Sequence, residues 1–324
     1  MKLKLDFEIR PFEKKINPED RLFFAGSCFS ENIATLFERY KFNTITNTHG
    51  ILYNPYSIAV SMSDCLLAKQ YTEKDLFYAN ETWNSFHHHS RFSHPDKEKC
   101  LAGINEQITR AYAHLRSTDH AFITFGSAYA YKYLKTRELV GNCHKIPQQE
   151  FEKVLLTKEE IVENYQKLIR SLQNLNKNIH IIFTVSPVRY TRDGVVENNL
   201  SKAVLLQAIH ELVNTNACCT YFPAYEIVND ELRDYRFFEE DMVHPNNMAI
   251  NYVWERLVNA GFSEKTKELV NELELILKAV AHRPFNENSE GHAKFKAAHL
   301  KKCRDLASRF PLIDFSNEEK YFAS

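Results

Sequence analysis

Near the start of the chain stands the run Phe23-Phe24-Ala25-Gly26-Ser27-Cys28-Phe29-Ser30. The apolar residues before the glycine are typical of a strand that is buried on both faces of a parallel sheet. The glycine permits a sharp bend that a residue with a Cβ would resist. After the run, apolar residues recur at spacings of three and four, at Ile33, Leu36 and Phe37, which indicates an amphipathic helix. The stretch therefore predicts a strand, a tight turn and a helix over about 21–41.

Later segments repeat this arrangement, with apolar runs that end in glycine or polar residues and helical patterns between them. Strands that alternate with helices at these lengths predict right-handed βαβ crossovers and a mostly parallel sheet, so the fold class is α/β. The polar residues at the carboxyl ends of the strands mark the edge at which open α/β sheets bind ligands. The expected strands are 121–125, 179–185 and 218–222, and the expected helices are 98–117, 157–172 and 198–214.

The segments between these elements carry patterns of their own. After the turn signal Asn54-Pro55, Ser57 is expected to cap a helix that runs to about Leu67. Residues 71–98 are rich in histidine and aromatic residues and are interpreted as a long excursion over the sheet edge. Residues 141–150 are expected to form an irregular polar loop.

Composition excludes several classes of protein. Lys+Arg of 41 against Asp+Glu of 42 gives a formal net charge of -1, so no electrostatic argument favours nucleic acid or an anionic membrane as partner. The 7 cysteines are scattered without a Cys-x-x-Cys motif, which indicates reduced thiols rather than a zinc ribbon or a disulfide framework. No stretch is apolar enough to cross a bilayer, and charges interrupt the first eight residues, unlike a secretory leader. We therefore predict a cytoplasmic protein.

The C-terminal part of the chain has a different composition. From Ser263 to Ala281, leucines and valines recur at helical spacing among many charges, and a second, basic helix is expected over about 289–309. The predicted organisation is an α/β domain over 1–262 and a helical extension over 263–324 that packs on it. No pattern indicates the oligomeric state.

Asp241 and His244 stand in an Asp-x-x-His-Pro motif more than two hundred positions after Ser27. A serine nucleophile needs a base within hydrogen-bond reach, and the base needs a partner that holds its tautomer. A spacing of three lets one loop present a preformed Asp–His pair. We therefore expect Ser27 to attack an acyl carbonyl, His244 to accept its proton and Asp241 to orient the imidazole. Either motif alone is weak, and Cys28 is a rival nucleophile, although a small thiol more often only packs under such a turn.

Further residues are expected to complete this site. The oxyanion hole would use the backbone N–H of Ser27, with a second donor from the N–H of Gly50 or Gly126 or, preferably, from the side chain of Asn142. Arg189 and Arg192 follow the carboxyl end of a strand and could hold an anionic substrate group or equally pair with surface acids. The expected substrate-binding residues are His49, Asn54, His144, Lys145 and Arg189.

The consecutive histidines His87-His88-His89 suggest a metal site at first. Consecutive residues on a strand point to opposite faces, so three such histidines cannot all ligate one ion without irregular backbone. A polar and aromatic lid is the better interpretation. We predict neither a metal nor an organic cofactor.

Gly26-Ser27-Cys28-Phe29 closely resembles the signature of the GSCFA-domain proteins, with Ser30 where that signature has alanine. The block from Asp241 to Pro245 resembles the Asp-x-x-His block of the SGNH/GDSL hydrolases, a superfamily to which GSCFA domains look related. The resemblance covers about 20–260. Other stretches similar to the GSCFA pattern are 53–58, 142–145, 186–189 and 231–237.

This resemblance implies a flavodoxin-like three-layer α/β/α sandwich of the SGNH type, with Ser27, Asp241 and His244 in the triad positions. It implies an esterase or acylesterase that acts on a small-molecule or carbohydrate ester, by analogy the removal of acetyl groups from carbohydrate. The sequence departs from the SGNH pattern at Gly126-Ser127-Ala128, where those enzymes usually have Gly-x-Asn. The oxyanion hole is therefore either rebuilt, with Asn142, or impaired. The alternative is a catalytically inactive SGNH-like module that binds a glycan or acylated ligand.

Overall fold

The computed structural model describes residues 5–323. Residues 1–4 of the predicted first domain and residue 324 of the predicted extension lie outside this range. The strands are β1 (Arg21–Gly26), β2 (Asn43–Thr46), β3 (Phe77–Ala79), β4 (Thr82–Asn84), β5 (His120–Phe125), β6 (Tyr129–Tyr133), β7 (Leu139–Val140), β8 (Phe151–Leu155), β9 (His180–Val185) and β10 (Cys219–Tyr221).

The helices lie between these strands and after them. They are α1 (Cys28–Arg39), α2 (Pro55–Leu66), α3 (Lys97–Leu115), α4 (Lys158–Leu175), α5 (Val195–Thr215), α6 (Ala224–Glu226), α7 (Asn247–Gly261), α8 (Glu264–Ala281), α9 (Glu290–Arg309) and α10 (Ser316–Ala323). A π-helical stretch, Ile227–Leu232, continues α6. Single 3₁₀ turns occupy Glu73–Asp75, Ser90–Phe92, Gln148–Glu150, Thr191–Asp193 and Tyr235–Phe237.

The central sheet has the strand order β2-β1-β5-β9-β10, and every neighbouring pair is parallel. Counted among themselves in chain order, these five strands run 2-1-3-4-5, which is the flavodoxin-like order. The predicted α/β class with a mostly parallel sheet is therefore confirmed. Because the strands are parallel, their carboxyl ends meet at one edge, which we call the carboxyl edge.

Two hydrophobic clusters cover the two faces of this sheet. Along β1, Leu22 and Phe24 belong to one cluster, whereas Phe23 and Ala25 belong to the other, as the alternation of side chains along a strand requires. Helices α1 and α7–α10 contribute to the first cluster, and α2–α5 contribute to the second. The predicted three layers, with helices on both faces of the sheet, are present.

The C-terminal helices share the cluster of α1 and α7. Leu273 of α8, Leu306 of α9 and Phe322 of α10 are all buried in it, and the hydroxyl of Tyr40 donates to Glu274 Oε2 at 2.6 Å. The division of the chain at 262/263 stays a prediction. The sequence patterns did not indicate α10.

One local expectation was wrong and one sheet was not expected. Helix α2 is capped by Asn54, not by Ser57, because Asn54 Oδ1 accepts the N–H of Ser57 at 2.8 Å and Pro55 opens the helix. Residues 141–150 are irregular apart from one 3₁₀ turn, as expected, but they join two strands of a three-stranded antiparallel sheet, β7-β6-β8, that the sequence patterns did not indicate. Within residues 5–323, no helix has both the length and the apolar composition that a membrane span needs.

Candidate active site

Ser27 lies in the turn between β1 and α1, at the carboxyl edge. The preceding Gly26 has a φ of +143°, and a Cβ there would lie 2.2 Å from the carbonyl oxygen of Thr124, so only glycine fits. The side chain of Asn47 holds the turn, because its Oδ1 accepts the N–H of Gly26 at 2.8 Å. The backbone of this turn is therefore fixed from two sides.

The side chain of Ser27 is buried and unpaired. Ser27 is 1% exposed and is the N-cap residue of α1, yet its hydroxyl makes no hydrogen bond to any described residue. Leaving a buried polar group unsatisfied costs about 1–3 kcal/mol. Such exceptions call for an explanation other than stability, and functional sites are one place where they occur.

Asp241 and His244 form a hydrogen-bonded pair in the loop before α7. Asp241 Oδ2 lies 2.7 Å from Nδ1 of His244, and Asp241 Oδ1 accepts the backbone N–H groups of Val243 and His244. These hydrogen bonds lower the pKa of the Asp241 carboxyl to about 2, so it is ionised at neutral pH. Both side chains are 49% exposed. The loop therefore presents an imidazole whose Nδ1 faces a carboxylate and whose Nε2 is open.

This loop lies at the same edge of the sheet as Ser27. Arg189, four residues beyond the last residue of β9, donates its backbone N–H to the carbonyl oxygen of Val243 at 3.2 Å. Neither the hydroxyl of Ser27 nor Nε2 of His244 has a hydrogen-bond partner among the described residues, so the two are not bonded to each other. Catalytic hydrogen bonds are often long or absent before substrate binds. Proton transfer between these two side chains requires that they approach each other.

The backbone donors expected for the oxyanion hole are already engaged. The N–H of Ser27 reaches the carbonyl oxygen of Thr124 at 3.4 Å, and the N–H of Gly50 donates to Asn47 at 2.7 Å. The N–H of Gly126 donates to the carbonyl oxygen of Tyr53 at 2.8 Å. By contrast, the N–H groups of Cys28 and Phe29, in the first turn of α1, reach no backbone carbonyl within residues 5–323 and face the thiol of Cys28. We did not expect these two donors, although the first turn of any helix leaves such groups free.

Two asparagine side chains offer further donors. Asn54 and Asn142 line one cavity of about 210 Å³, which we call the tyrosine cavity. In each asparagine Oδ1 accepts a backbone N–H, from Ser57 and His144 respectively, while Nδ2 donates to no described residue. The tyrosine cavity is lined by these two amides and by Tyr53, Tyr129, Tyr131 and Tyr190, among others.

Three of the expected substrate-binding residues, His49, His144 and Lys145, do not line the tyrosine cavity. His49 has no exposed surface; its ring stacks on His88, and its Nε2 lies 3.2 Å from Asp64 Oδ2. His144 is also buried and donates from Nε2 to the carbonyl oxygen of Ser85. Burial lowers the pKa of both imidazoles. Lys145 is exposed on the surface of the protein.

The histidine run 87–89 divides between interior and surface. His88 is fully buried, with Nδ1 2.9 Å from the hydroxyl of Ser85, whereas His89 lines the tyrosine cavity. In the part of the chain that the structure describes, no cluster of three or more histidine, cysteine, aspartate or glutamate side chains could hold a metal ion.

Arg189 and Asp241 line a second cavity, of about 460 Å³, which we call the arginine cavity. Its wall also includes Asn198, Asn199, Tyr225 and Tyr235. Arg192 is exposed and is not part of this wall. The two arginines that the sequence could not tell apart therefore have different environments.

Lys202 was not expected at this edge. This α5 residue is buried, and its ammonium donates to the carbonyl oxygens of Gly126 and Ser186, each at 2.7 Å, at the carboxyl ends of β5 and β9. Burial lowers the pKa of Lys202 to about 7. A signal was present, because Lys202 precedes the core residues Leu205 and Ile209 by three and seven positions and so shares their helix face.

Two family models match the chain. The model described as "GSCFA family" matches residues 21–257, and the model described as "GSCFA domain protein, C-terminal domain" matches residues 273–324. No curated protein matches the chain in sequence.

Several solved structures are similar to this one at low sequence identity. A family 3 carbohydrate esterase from Talaromyces cellulolyticus is 8% identical, with a TM-score of 0.36 and coverage of 79% of this chain and 98% of that one. A family 3 carbohydrate esterase from Clostridium thermocellum is 10% identical, with the same TM-score and coverages. A family two carbohydrate esterase from Clostridium thermocellum, in complex with cellohexaose, is 13% identical, with a TM-score of 0.36 and coverages of 84% and 68%. No residue role is transferred from these proteins.

Proposed function

The chain belongs to the GSCFA family, and from this premise we propose that it is a serine hydrolase of the SGNH/GDSL type that cleaves ester bonds. The observation that carries the proposal is the preformed pair of Asp241 and His244, at the edge of the sheet where Ser27 begins α1. The bonded Nδ1 holds the imidazole in one tautomer and leaves Nε2 as the base.

The reaction proceeds through an acyl-enzyme. The hydroxyl oxygen of Ser27 bonds to the acyl carbon while its proton passes to Nε2 of His244. The leaving alcohol takes that proton as its bond to the acyl carbon breaks. Water then attacks the acyl-enzyme, again losing its proton to His244, and releases the carboxylic acid and free Ser27. Asp241 keeps the imidazole oriented and stabilises its cation at each transfer.

The negative charge that develops on the carbonyl oxygen needs hydrogen-bond donors. The N–H groups of Cys28 and Phe29, which bond to no backbone carbonyl, supply two of them at the positive end of the α1 dipole. Asn54 and Asn142 line the tyrosine cavity, and we assign to their Nδ2 groups, which donate to no described residue, the role of the asparagine that Gly126-Ser127-Ala128 lacks. One such donor contributes about 3–4 kcal/mol of transition-state stabilisation.

The tyrosine cavity is the proposed site for the alcohol part of the ester, which we take to be a carbohydrate. Its tyrosines offer aromatic faces on which a sugar ring can pack and hydroxyls that can bond to the sugar. Its volume of about 210 Å³ suits a small group better than a long chain.

The 7 cysteines are all free thiols, which agrees with a cytoplasmic location.

Labelling with a fluorophosphonate probe tests this mechanism. We expect the wild type to be labelled, Ser27→Ala not to be labelled, and His244→Ala to react at least ~100-fold more slowly, because general-base catalysis contributes about that much or more. Ser30→Ala is the matched control, since Ser30 also lies in α1 with a buried, unpaired hydroxyl. It should label like the wild type.

Cys28→Ser tests the rival nucleophile and should also retain labelling. Burial raises the pKa of the Cys28 thiol, which leaves little thiolate at neutral pH. Labelling that persists in Ser27→Ala would disprove the assignment of the nucleophile.

A binding module without catalysis is the second candidate. It is favoured by the burial of Ser27, which is 1% exposed and not bonded to His244. Under this alternative, folded wild type resists the probe and binds an acetylated oligosaccharide without hydrolysing it. Release of acetate from that oligosaccharide by the wild type, and not by Ser27→Ala, would rule the alternative out.

A further inference from the structure

The arginine cavity adjoins the candidate catalytic pair. It lies between the segment after β9, the first turn of α5 and the loop that carries Asp241. With about 460 Å³ it is larger than the tyrosine cavity. Tyr190, which lines the tyrosine cavity, follows Arg189 directly in the chain, so the two cavities flank one segment. A ligand held in the arginine cavity therefore contacts the loop that carries His244.

Arg189 is positioned from three directions. Its guanidinium carbon lies 4.5 Å from the ring centroid of Phe238 and 5.5 Å from that of Tyr235, while its backbone N–H is bonded to Val243. Cation–π contacts of this kind hold the guanidinium against the faces of the aromatic rings. They do not use its N–H groups as hydrogen-bond donors. The guanidinium makes no ion pair or hydrogen bond with any residue in the described range. Its five N–H donors are therefore available for a ligand.

Two acids close to Arg189 in the chain or in the cavity wall bond to other groups. Asp241 lines the same cavity, but its two oxygens accept the ring of His244 and two backbone N–H groups. Asp193, four residues after Arg189, is paired with Lys153 at 2.5 Å. Among the described residues, no carboxylate forms an ion pair with the guanidinium of Arg189.

We propose that the arginine cavity binds an oxyanion group of the substrate, a carboxylate or a phosphate, with Arg189 as its bidentate partner. Two parallel N–H donors of a guanidinium match two oxygens of either group. The inference rests on the proposed function in one respect, that the anchored molecule is the ester cleaved at Ser27. It narrows the substrate class to acyl esters of acidic carbohydrates, with uronate and sugar phosphate as the two sources of the anion.

Equilibrium binding tests the cavity without requiring catalysis. Isothermal titration calorimetry on the full chain would compare glucuronate and glucose 6-phosphate with neutral glucose. We expect at least one of the two acids to bind at least tenfold more tightly than glucose, and the stronger of them identifies the group. Arg189→Gln should remove that preference. Arg192→Gln, which deletes the same charge outside the cavity, should bind like the wild type.

Kinetics then connect the cavity to the reaction. Hydrolysis of an acetylated sugar acid and of the matched acetylated neutral sugar would be measured in the wild type and in Arg189→Gln. We expect the variant to raise KM for the acidic ester at least tenfold with kcat changed less than threefold, so that it loses the preference for the acidic over the neutral ester. Arg189→Lys should restore only part of the affinity, because an ammonium lacks the paired donors.

Each outcome counts for or against the proposal. Equal binding of the acids and glucose, no binding of either acid, or equal losses in Arg189→Gln and Arg192→Gln would overturn it. Binding of an acid through Arg189 by a protein that hydrolyses no ester would keep the anion site and refute the proposed activity. Hydrolysis without any preference for acidic esters would keep the activity and refute the anion site.

Discussion

Among the described residues, no carboxylate pairs with the ammonium of Lys202, although Lys202 lies inside the protein. It relies on the carbonyl oxygens of Gly126 and Ser186 and on the ring of Tyr225, whose centroid lies 5.8 Å away. Burying an ammonium without a counter-ion is costly, and this cost is what lowers its pKa to about 7. The stability of the protein should therefore depend on pH through this one side chain.

The sign of that dependence follows from proton binding. An unfolded lysine titrates near 10.5 and the folded Lys202 near 7, so between these values the unfolded chain binds more protons. The contribution of Lys202 to the free energy of unfolding should therefore rise with pH, by up to about 1.4 kcal/mol per pH unit. Lys202→Met removes this contribution.

Urea denaturation at pH 6, 7, 8 and 9 measures the effect. We expect the stability difference between wild type and Lys202→Met to shift in favour of the wild type from pH 7 to 9. Lys167→Met, an exposed lysine on α4, is the control and should show a difference that does not change with pH. Parallel curves for the wild type and Lys202→Met would contradict the burial of a lysine with a lowered pKa.

At the scale of elements, the start of α2 combines two roles in one side chain. Oδ1 of Asn54 caps the helix by accepting the N–H of Ser57, while Nδ2 is free in the tyrosine cavity. Because the two atoms belong to one amide, capping Oδ1 also fixes the position of Nδ2. The helix thereby orients a donor that we propose for the oxyanion hole.

Two substitutions separate these roles. Asn54→Ala should destabilise the protein by about 1 kcal/mol through loss of the cap and should also slow probe labelling. Asn54→Asp keeps a capping oxygen and removes the N–H donors, so it should leave stability nearly unchanged and still slow labelling. Urea denaturation and labelling rates measure the two effects. Asn54→Asp that labels as fast as the wild type would exclude Asn54 from the oxyanion hole.

Elements with strong local signals could be predicted from the sequence. The strand, turn and helix around Ser27 are local, since the apolar run, the glycine and the helical spacing each act on neighbouring residues. The antiparallel sheet β6–β8 was missed because its tyrosine-rich strand is only partly buried, which weakens the contrast between its faces. The cap of α2 was misplaced because Asn54 and Ser57 are both good capping residues, and the position of Pro55 decides between them.

The candidate site was less predictable than the fold. The pairing of Asp241 with His244 followed from their spacing, because both residues belong to one short loop. The burial of His49 depends on its stacking against His88, and that contact joins distant segments. The environment of Lys202 likewise exists only where the ends of β5 and β9 meet. Such features depend on tertiary contacts between distant segments, and the pattern of residues along the sequence does not indicate which segments will meet.

At the scale of the whole molecule, the C-terminal helices complete one face of the sandwich. Their buried side chains share a cluster with α1 and α7, and Lys41 pairs with Glu318 at 2.9 Å. Removing the C-terminal helices would expose the apolar surface of α1 and α7 that they now cover. The hydrophobic stabilisation of that layer would then be weaker.

A chain that ends at residue 262 tests this dependence. We expect it to unfold at a lower urea concentration than the full chain, or to aggregate. A chain that lacks only α10, ending at residue 315, is the control and should lose less stability. Equal unfolding midpoints for the chain ending at 262 and the full chain would instead show that the predicted unit 1–262 folds independently.

The strand order has a consequence for how the protein is made. β1 lies between β2 and β5, and its residue Leu22 pairs with His120. The turn that holds Ser27 rests on Asn47 and on Thr124 of β5, so it cannot close until that later strand is in place. Pairings between residues so far apart form slowly, because the long loop between them must close first. During translation Ser27 therefore leaves the ribosome well before Thr124, and its turn cannot reach its final conformation until that strand has followed.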